Sequence, residues 1–368
     1  VIEGPGGDGV PLGNKSITAD EALTLHAAGY DANDNYLGDY SVTWLSSGTL
    51  TPSVNTTGSS FTFHPTTAPA SGRISAIHAT ADDDSTGLIS VSEGNPDHIK
   101  ILSTGSGNTS EVTLEGLTAG QTLTVHASYF DADDNYLGDV SVDWNVTSPI
   151  GTLNPASGVS TTFSATTPGT GTIHAQHATL GEDGTGVITV FQGTIHHILI
   201  IEGPSGDGDE LDTWNMTSDE ALTVHAAGYD VFNNYLGDIS VTWSSTNLSP
   251  ALSGSGQSIT FNPASVSTNG RINAEYSPII TDATGNITVT FGKLDHFDIA
   301  NIPNRKAGKR FYLEIQAQDA DGNIYEDFNQ TVLINDETGT IQPAVSGSFI
   351  NGVWSDSAYV TQSWTDNA

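Results

Sequence analysis

Three stretches of the chain align with one another without a gap: His26–Trp44 (HAAGYDANDNYLGDYSVTW), His126–Trp144 (HASYFDADDNYLGDVSVDW) and His225–Trp243 (HAAGYDVFNNYLGDISVTW). The first and third are identical at 15 of 19 positions, and the leading histidines stand 100 and then 99 residues apart. A period this regular makes the chain a tandem array of similar folding units. A second marker keeps the register, with TGLISVSEG ending at Gly94, TGVITVFQG at Gly193 and TGNITVTFG at Gly292. A third opens the following unit: DHIKI from Asp97, HHILI from His196 and DHFDI from Asp295. Repeats are therefore expected over 1–94, 95–193, 194–292 and 293–368. No Pro- or Gly-rich linker separates them, which favours short, stiff junctions.

The fourth unit diverges, with AQDADGNIYEDF (Ala317–Phe328) in place of AGYDANDNYLGD, and it has no counterpart of the TGxIxV strand. The first lacks the opening residues, because Val1-Ile2-Glu3-Gly4-Pro5 matches Ile200–Pro204. Two readings stay open: a window of a longer protein, or open sandwiches completed by a strand from a neighbouring chain.

Within a repeat the apolar residues alternate. Leu23, Leu25 and Ala27 share one face while Thr24 and His26 share the other, and period two means a half-buried strand. Clusters such as Asn33-Asp34-Asn35 and Asp183-Gly184-Thr185-Gly186 punctuate strands rich in Thr and Val. No segment carries a 3.6-residue apolar stripe. About seven short strands per hundred residues predict an all-β chain of tandem immunoglobulin-like antiparallel sandwiches, with Trp44, Trp144 and Trp243 in the cores. Val332 takes the tryptophan's place in the fourth unit, so that core must pack differently.

These residues resemble the bacterial immunoglobulin-like (Big-type) domains that occur in tandem in invasin-like adhesins, surface-layer proteins and other long cell-surface proteins. The resemblance is carried by the D-x-x-x-N strand end (Asp31–Asn35, Asp131–Asn135, Asp319–Asn323), the G-D-x-S-V-x-W strand after it and the closing TG-x-I-x-V strand. It spans the whole chain and implies an exported location, extracellular or at the cell surface. It is specific for fold and poor for function, since such domains serve as spacers, adhesive tips and lattice bricks.

Charge removes several alternatives. With 43 Asp+Glu against 9 Lys+Arg, a formal charge of −34, the chain repels phosphate backbones and anionic membranes, so nucleic-acid binding is excluded. No apolar run approaches the roughly 20 residues that insert across a bilayer. With no Cys there is neither a disulfide framework nor a thiolate metal site.

Asp31-x-Asn33-x-Asn35, Asp131-x-Asp133-x-Asn135 and Asp319-x-Asp321-x-Asn323 have the alternate oxygen spacing of calcium loops, while Phe232 breaks it in the third repeat. The competing reading is an Asx turn, because Asp and Asn tolerate the left-handed conformation. Acidic clusters at Asp82–Asp84, Glu182-Asp183 and Asp207/Asp209/Asp212 offer junction calcium or solvated turns. His26, His126 and His225 recur on one outer face, and repetition suits surface histidines better than a unique active site. Arg305, Lys306, Lys309 and Arg310 place four of nine basic residues within six positions, either an ordinary turn or a patch for docking on an acidic neighbouring repeat. Tyr36, Tyr136 and Tyr235 either bind surface glycans or cap the cores. Sequons stand at Asn14, Asn55, Asn108, Asn145, Asn215, Asn247, Asn286 and Asn329. No GxSxG, HExxH or GxxxxGK[ST] occurs, and an enzyme is not expected.

The expected function is therefore structural: a rigid rod in a surface fibre, adhesin stalk or surface-layer lattice that associates with itself or with neighbouring repeats. The alternative is an adhesive or carbohydrate-binding module of a larger exported protein.

Overall fold

The computed structural model describes residues 1–105 and 110–363. All its regular elements are strands, and among the described residues no helix is long and apolar enough to cross a membrane. The chain forms two compact units, Val1–Gln192 and Gly193–Ala368.

In the first unit the sandwich is clearest between residues 95 and 192. Strand Thr122–Phe130 lies between His98–Leu102 and Ser160–Ala165, both antiparallel to it, and Gly151–Asn154 extends the sheet beyond Ser160–Ala165. In the facing sheet Val142–Val146 lies between Ser157–Gly158 and Ile173–His177, with Gly181–Gly184 at the edge. Leu114–Thr118 runs parallel to Val187–Phe191. The alternation of the sequence becomes the alternation of burial: in Ser160–Ala165, Thr161, Phe163 and Ala165 face inward. Because successive side chains of a strand point to opposite faces, period two needs no further cause. The first repeat uses the same plan, with Lys15–Thr18 parallel to Ile89–Ser92.

In the second unit Leu222–Tyr229 pairs with His197–Ile201 and Ser258–Phe261, and Trp214–Thr217 runs parallel to Ile287–Thr290. The chain is thus all-β, a set of immunoglobulin-like antiparallel sandwiches.

Buried apolar residues form four clusters, the first between Val1 and Val91, the second between Ile99 and Val190, the third between Ile198 and Val289 and the fourth between Leu313 and Ala358. Trp44, Trp144 and Trp243 lie inside the first three. Each indole N–H donates to a glycine carbonyl on the neighbouring strand of its own sheet, Trp44 to Gly58 at 3.0 Å, Trp144 to Gly158 at 3.0 Å and Trp243 to Gly256 at 2.9 Å. A ring this large is buried whole because its one polar atom has a partner.

The fourth core is built differently, as Val332 at the tryptophan's place predicts. Val332 is only partly buried, and Trp354 on strand Val353–Ala358 supplies the indole, packed with Leu313, Ile315 and Phe349. Phe297, Phe328 and Phe349 add an edge-to-face aromatic cluster with centroids 5.0–5.8 Å apart.

Candidate functional site

The most elaborate polar geometry in each unit surrounds the D-x-x-x-N loops. Asp131 Oδ1 accepts the N–H groups of Asp133 (3.0 Å) and Asn135 (2.9 Å) and the Asn135 amide at 3.1 Å, while the Asp131 N–H donates to the Asn135 carbonyl at 3.1 Å. This is an Asx turn closed at both ends. Its fourth residue is left-handed, with φ of 63° at Asp34, 66° at Asp134 and 63° at Asn233. Gly322, with φ of 84°, takes that place in the fourth repeat.

The second carboxylate oxygen reaches out of the loop. Asp131 Oδ2 accepts the N–H of Gly94 at 2.8 Å, and Asn135 uses its carbonyl to accept the N–H of Ala68 at 2.8 Å. In the second unit Asp319 Oδ2 accepts the Gly292 N–H at 2.9 Å and the Ser218 hydroxyl at 2.7 Å, and Asn323 donates to the Ala264 carbonyl at 3.4 Å. Asp230 likewise accepts the Gly193 N–H at 3.2 Å. Asp131, Asp230 and Asp319 are almost wholly buried, whereas Asp31, which makes the same turn but no such outward contact among the described residues, is not.

A second carboxylate grips the same spot from the preceding side. Asp20 Oδ2 accepts the N–H of Asn95, and Asp219 Oδ2 that of Lys293, both at 2.6 Å. A Cβ on Gly94 would stand 2.2 Å from Asp20 Oδ1, and one on Gly292 2.3 Å from Asp219 Oδ1. Gly94 and Gly292, two residues past their strands, are needed for space, so that the N–H can meet one aspartate while the Cα lies against another.

Burial pulls the Asp319 carboxyl up, but the Gly292 N–H, the Ser218 hydroxyl and the Asn323 amide outweigh it and bring it down to about 2. Asp131 and Asp230 are lowered by the same competition. A carboxylate held below its unfolded value stabilises the fold above that value and loses the contribution as pH falls through the folded one. The Asp319 contacts, worth on the order of 2 kcal/mol from a fall of 3.8 to about 2, should weaken below pH 4 and be gone near pH 2. Exchange of the Gly292 amide, followed between pH 5 and 2 and corrected for the intrinsic rate, checks this. Constant protection down to pH 2 would contradict it.

Elsewhere burial wins. The carboxyls of Asp183 and Asp282 are raised by desolvation although each accepts backbone N–H groups, among them that of Ile101 at 2.6 Å and that of Ile200 at 2.7 Å. The acidic cluster Glu182-Asp183 thus satisfies an edge-strand N–H.

The calcium reading of the loops does not fit this geometry. Asn33, Asp133 and Asp321 are exposed, and the inner carboxylates are already occupied by N–H donors, among them the Nδ2 of Asn35, Asn135 and Asn323. A cation needs oxygens there. Among the described residues no three His, Cys, Asp or Glu side chains converge on a point that could hold a metal. Millimolar calcium, or its removal by EDTA, should leave the thermal unfolding midpoint in place; a clear rise with calcium would overturn the Asx-turn account.

Tyr36, Tyr136 and Tyr235 each donate to an aspartate three residues on: Asp39 at 2.8 Å, Asp139 at 3.0 Å and Asp238 at 2.6 Å. Burial and the Asp238 hydrogen bond push the Tyr235 hydroxyl up to about 12. His26 and His225 approach the same aspartates, Asp39 at 3.5 Å and Asp238 at 3.6 Å. Sequence reasoning missed these aspartates as shared partners, although the Tyr-to-Asp spacing is constant in three repeats. The tyrosine rings pack against Tyr30, Phe130 and Tyr229 with centroids 5.7–5.9 Å apart.

Arg305, Lys306, Lys309 and Arg310 are all exposed and make no ion pair among the described residues; the Arg310 guanidinium lies over the Tyr359 ring at 5.1 Å. Of the sequons, Asn55, Asn145 and Asn215 are exposed on strands. The others are engaged: Asn14 accepts from Leu88, Asn247 donates to Asn269, Asn286 to Asn269, and Asn329 accepts from Asn351. Asn108 lies outside the described residues.

No protein-family model and no curated protein matches the chain. Among solved structures it is similar to the Escherichia coli adhesin FdeC, at 16% identity and a TM-score of 0.35 over 73% of this chain and 90% of that one. It is also similar to domains 5-6 of the S-layer protein SbsC, at 15% identity and a TM-score of 0.20 over 54% of this chain and 100% of that one. The insect immune protein hemolin is similar at 12% identity and a TM-score of 0.25, over 76% and 75% of the two chains.

Proposed function

We propose that the chain is an extracellular structural segment: four immunoglobulin-like repeats, 1–94, 95–193, 194–292 and 293–368, forming a rigid rod in a surface fibre, adhesin stalk or surface-layer lattice. The four separate core clusters, each inside one of these ranges, support the division. The observation that carries the function is the use made of the Asx loops. Their buried aspartates and asparagines are committed to the backbone of the preceding repeat, at Gly94 and Ala68 in the first unit and at Gly292 and Ala264 in the second. Polar groups that would serve a ligand in a binding loop serve the junction here. The role is mechanical: ladders within each sandwich resist extension, and braced junctions resist bending. Self-association fits the same reading, with the four exposed cations of 305–310 docking on the acidic surface of a like repeat.

Electron microscopy of the native material, before and after EDTA, tests the proposal. Stiff rods, single or joined into filaments or sheets and unchanged by EDTA, are expected. Particles whose repeats take all angles to one another would contradict it, and specific binding on a glycan array, lost in Tyr136→Ala, would favour the adhesive alternative.

A further inference from the structure

The outer face of the third repeat carries an open groove of about 540 Å³. Three strands floor it: Val241–Thr246 pairs with Ser267–Ser277, and Ser267–Ser277 with Ile280–Ala283, antiparallel in both cases. Because Trp243 and Ala274 point into the core, the residues beside them point outward, and the register sets these in two rows across the sheet. Thr242, Glu275 and Thr281 form one row, and Ser244, Asn273 and Ala283 the other. The Glu275 carboxylate makes no ion pair or hydrogen bond among the described residues. Asn273 donates its amide to the Thr246 hydroxyl at 3.2 Å, which leaves its carbonyl oxygen as an acceptor. Tyr276, next after Glu275, is 46% exposed and packs on no other ring among the described residues.

This lining selects by exclusion. A free carboxylate in a chain of formal charge −34 repels an anion. Among the described residues no three His, Cys, Asp or Glu side chains converge to hold a metal ion. The apolar lining is limited to Ala274 and Ala283, so an apolar ligand gains little there. What fits is a neutral molecule dense in hydroxyls. Each of its hydroxyls both donates and accepts, as do those of Thr242, Ser244 and Thr281, while the Glu275 carboxylate and the Asn273 carbonyl accept. The sister repeats use the same positions otherwise. In the second the rows read Asp143, Gln176, Glu182 and Asn145, His174, Gly184, so carboxylates replace two of the hydroxyls, and His174 is tied to the Thr172 hydroxyl at 2.9 Å. In the first, Leu45 and Ile77 stand for Ser244 and Glu275.

We propose that this groove of the third repeat binds a neutral saccharide. Glu275 accepts from two of the sugar's hydroxyls, Asn273 accepts from a third, and the hydroxyls of Thr242 and Thr281 fix its orientation on either side of Glu275. Tyr276 offers an aromatic face at the end of the groove. The pleated sheet holds these groups in place before the ligand arrives, so little ordering cost opposes binding. The site lies within one repeat and is independent of whether the chain is a structural rod.

The test uses the full chain and the methyl glycosides of glucose, galactose, mannose and N-acetylglucosamine, with methyl glucuronide as the anionic control. At least one neutral sugar, added to about 50 mM, is expected to shift the backbone amide resonances of Thr242, Asn273, Glu275 and Thr281 saturably, and those of Asp143, Gln176 and Glu182 should stay in place. Glu275→Gln should weaken that binding about 10-fold, as loss of a charged acceptor does, with the rest of the spectrum unchanged. Tyr136→Ala should leave it intact, which separates this site from the tyrosines of the repeated loops. No saturable shift with any of the four sugars, equal binding of the glucuronide, or binding that survives Glu275→Gln and Asn273→Ala together would overturn the assignment.

Discussion

Asp319→Ala should release the Gly292 amide to exchange and destabilise the fourth repeat by about 3 kcal/mol, because it strips a buried Gly292 N–H and a buried Ser218 hydroxyl of their common acceptor. The Asn323 side chain loses its anchor at the same time and can no longer be held against the Ala264 carbonyl. Asp319→Asn keeps an acceptor but turns an N–H₂ toward other donors, so its effect should be intermediate. The same change in the first repeat, Asp31→Ala, removes only a solvent-facing Asx turn and should cost much less. Urea unfolding of the full chain, with amide exchange read at Gly292 and Lys293, separates these outcomes. Equal effects of Asp319→Ala and Asp31→Ala would mean that the loop serves only its own hairpin.

Trp243→Ala should cost about 3–5 kcal/mol, the range for deleting a large buried aromatic side chain. The ring is 1% exposed and packed in one cluster with Val241, Phe261 and Ile272, and its removal also orphans the Gly256 carbonyl. Against a stability of about 5–15 kcal/mol for a typical domain, that is enough to unfold the third repeat under mild denaturant. The fourth repeat should respond in the same way to Trp354→Ala and only weakly to Val332→Ala, since Trp354 is buried in that core and Val332 sits at its margin. Exchange protection lost across Leu222–Tyr229, with that of Phe311–Gln318 retained, is the expected pattern for Trp243→Ala.

The strands were legible because their cause is local. Alternation at Leu23, Leu25 and Ala27 is enough to set a face, and the tryptophans follow from the same register. The Asx turn was legible too, as one of two readings, since the left-handed fourth position tolerates Asp, Asn or Gly, as Asp34, Asn233 and Gly322 show. What the spacing alone could not supply was the direction of the amide of Asn135. Pointed at the carboxylate as a donor, it closes a turn; only with its oxygen there would it help to ligate a cation. Nor could the sequence disclose that Asp131 has a second oxygen free to reach Gly94, 37 residues away, or Asp319 to reach Ser218, 101 residues away. Those contacts depend on how consecutive sandwiches abut, and no periodicity within one repeat encodes that. A sign of them was nevertheless present: a glycine recurs two residues past each closing strand, at Gly94, Gly193 and Gly292.

The Asx loops at Asp131 and Asp319 are expected to hold the two repeats within each unit at a fixed angle. Because the chain has no native cysteine, Thr57→Cys and Gln176→Cys, both at exposed strand positions in the first unit, provide two unique spin-label sites on either side of the Gly94 junction. Pulsed electron-spin distance measurement on the full chain should give one narrow distribution, which broadens when Asp131→Ala and Asn135→Ala are added. A broad distribution in the otherwise unaltered chain, or a narrow one that survives both substitutions, would contradict the claim.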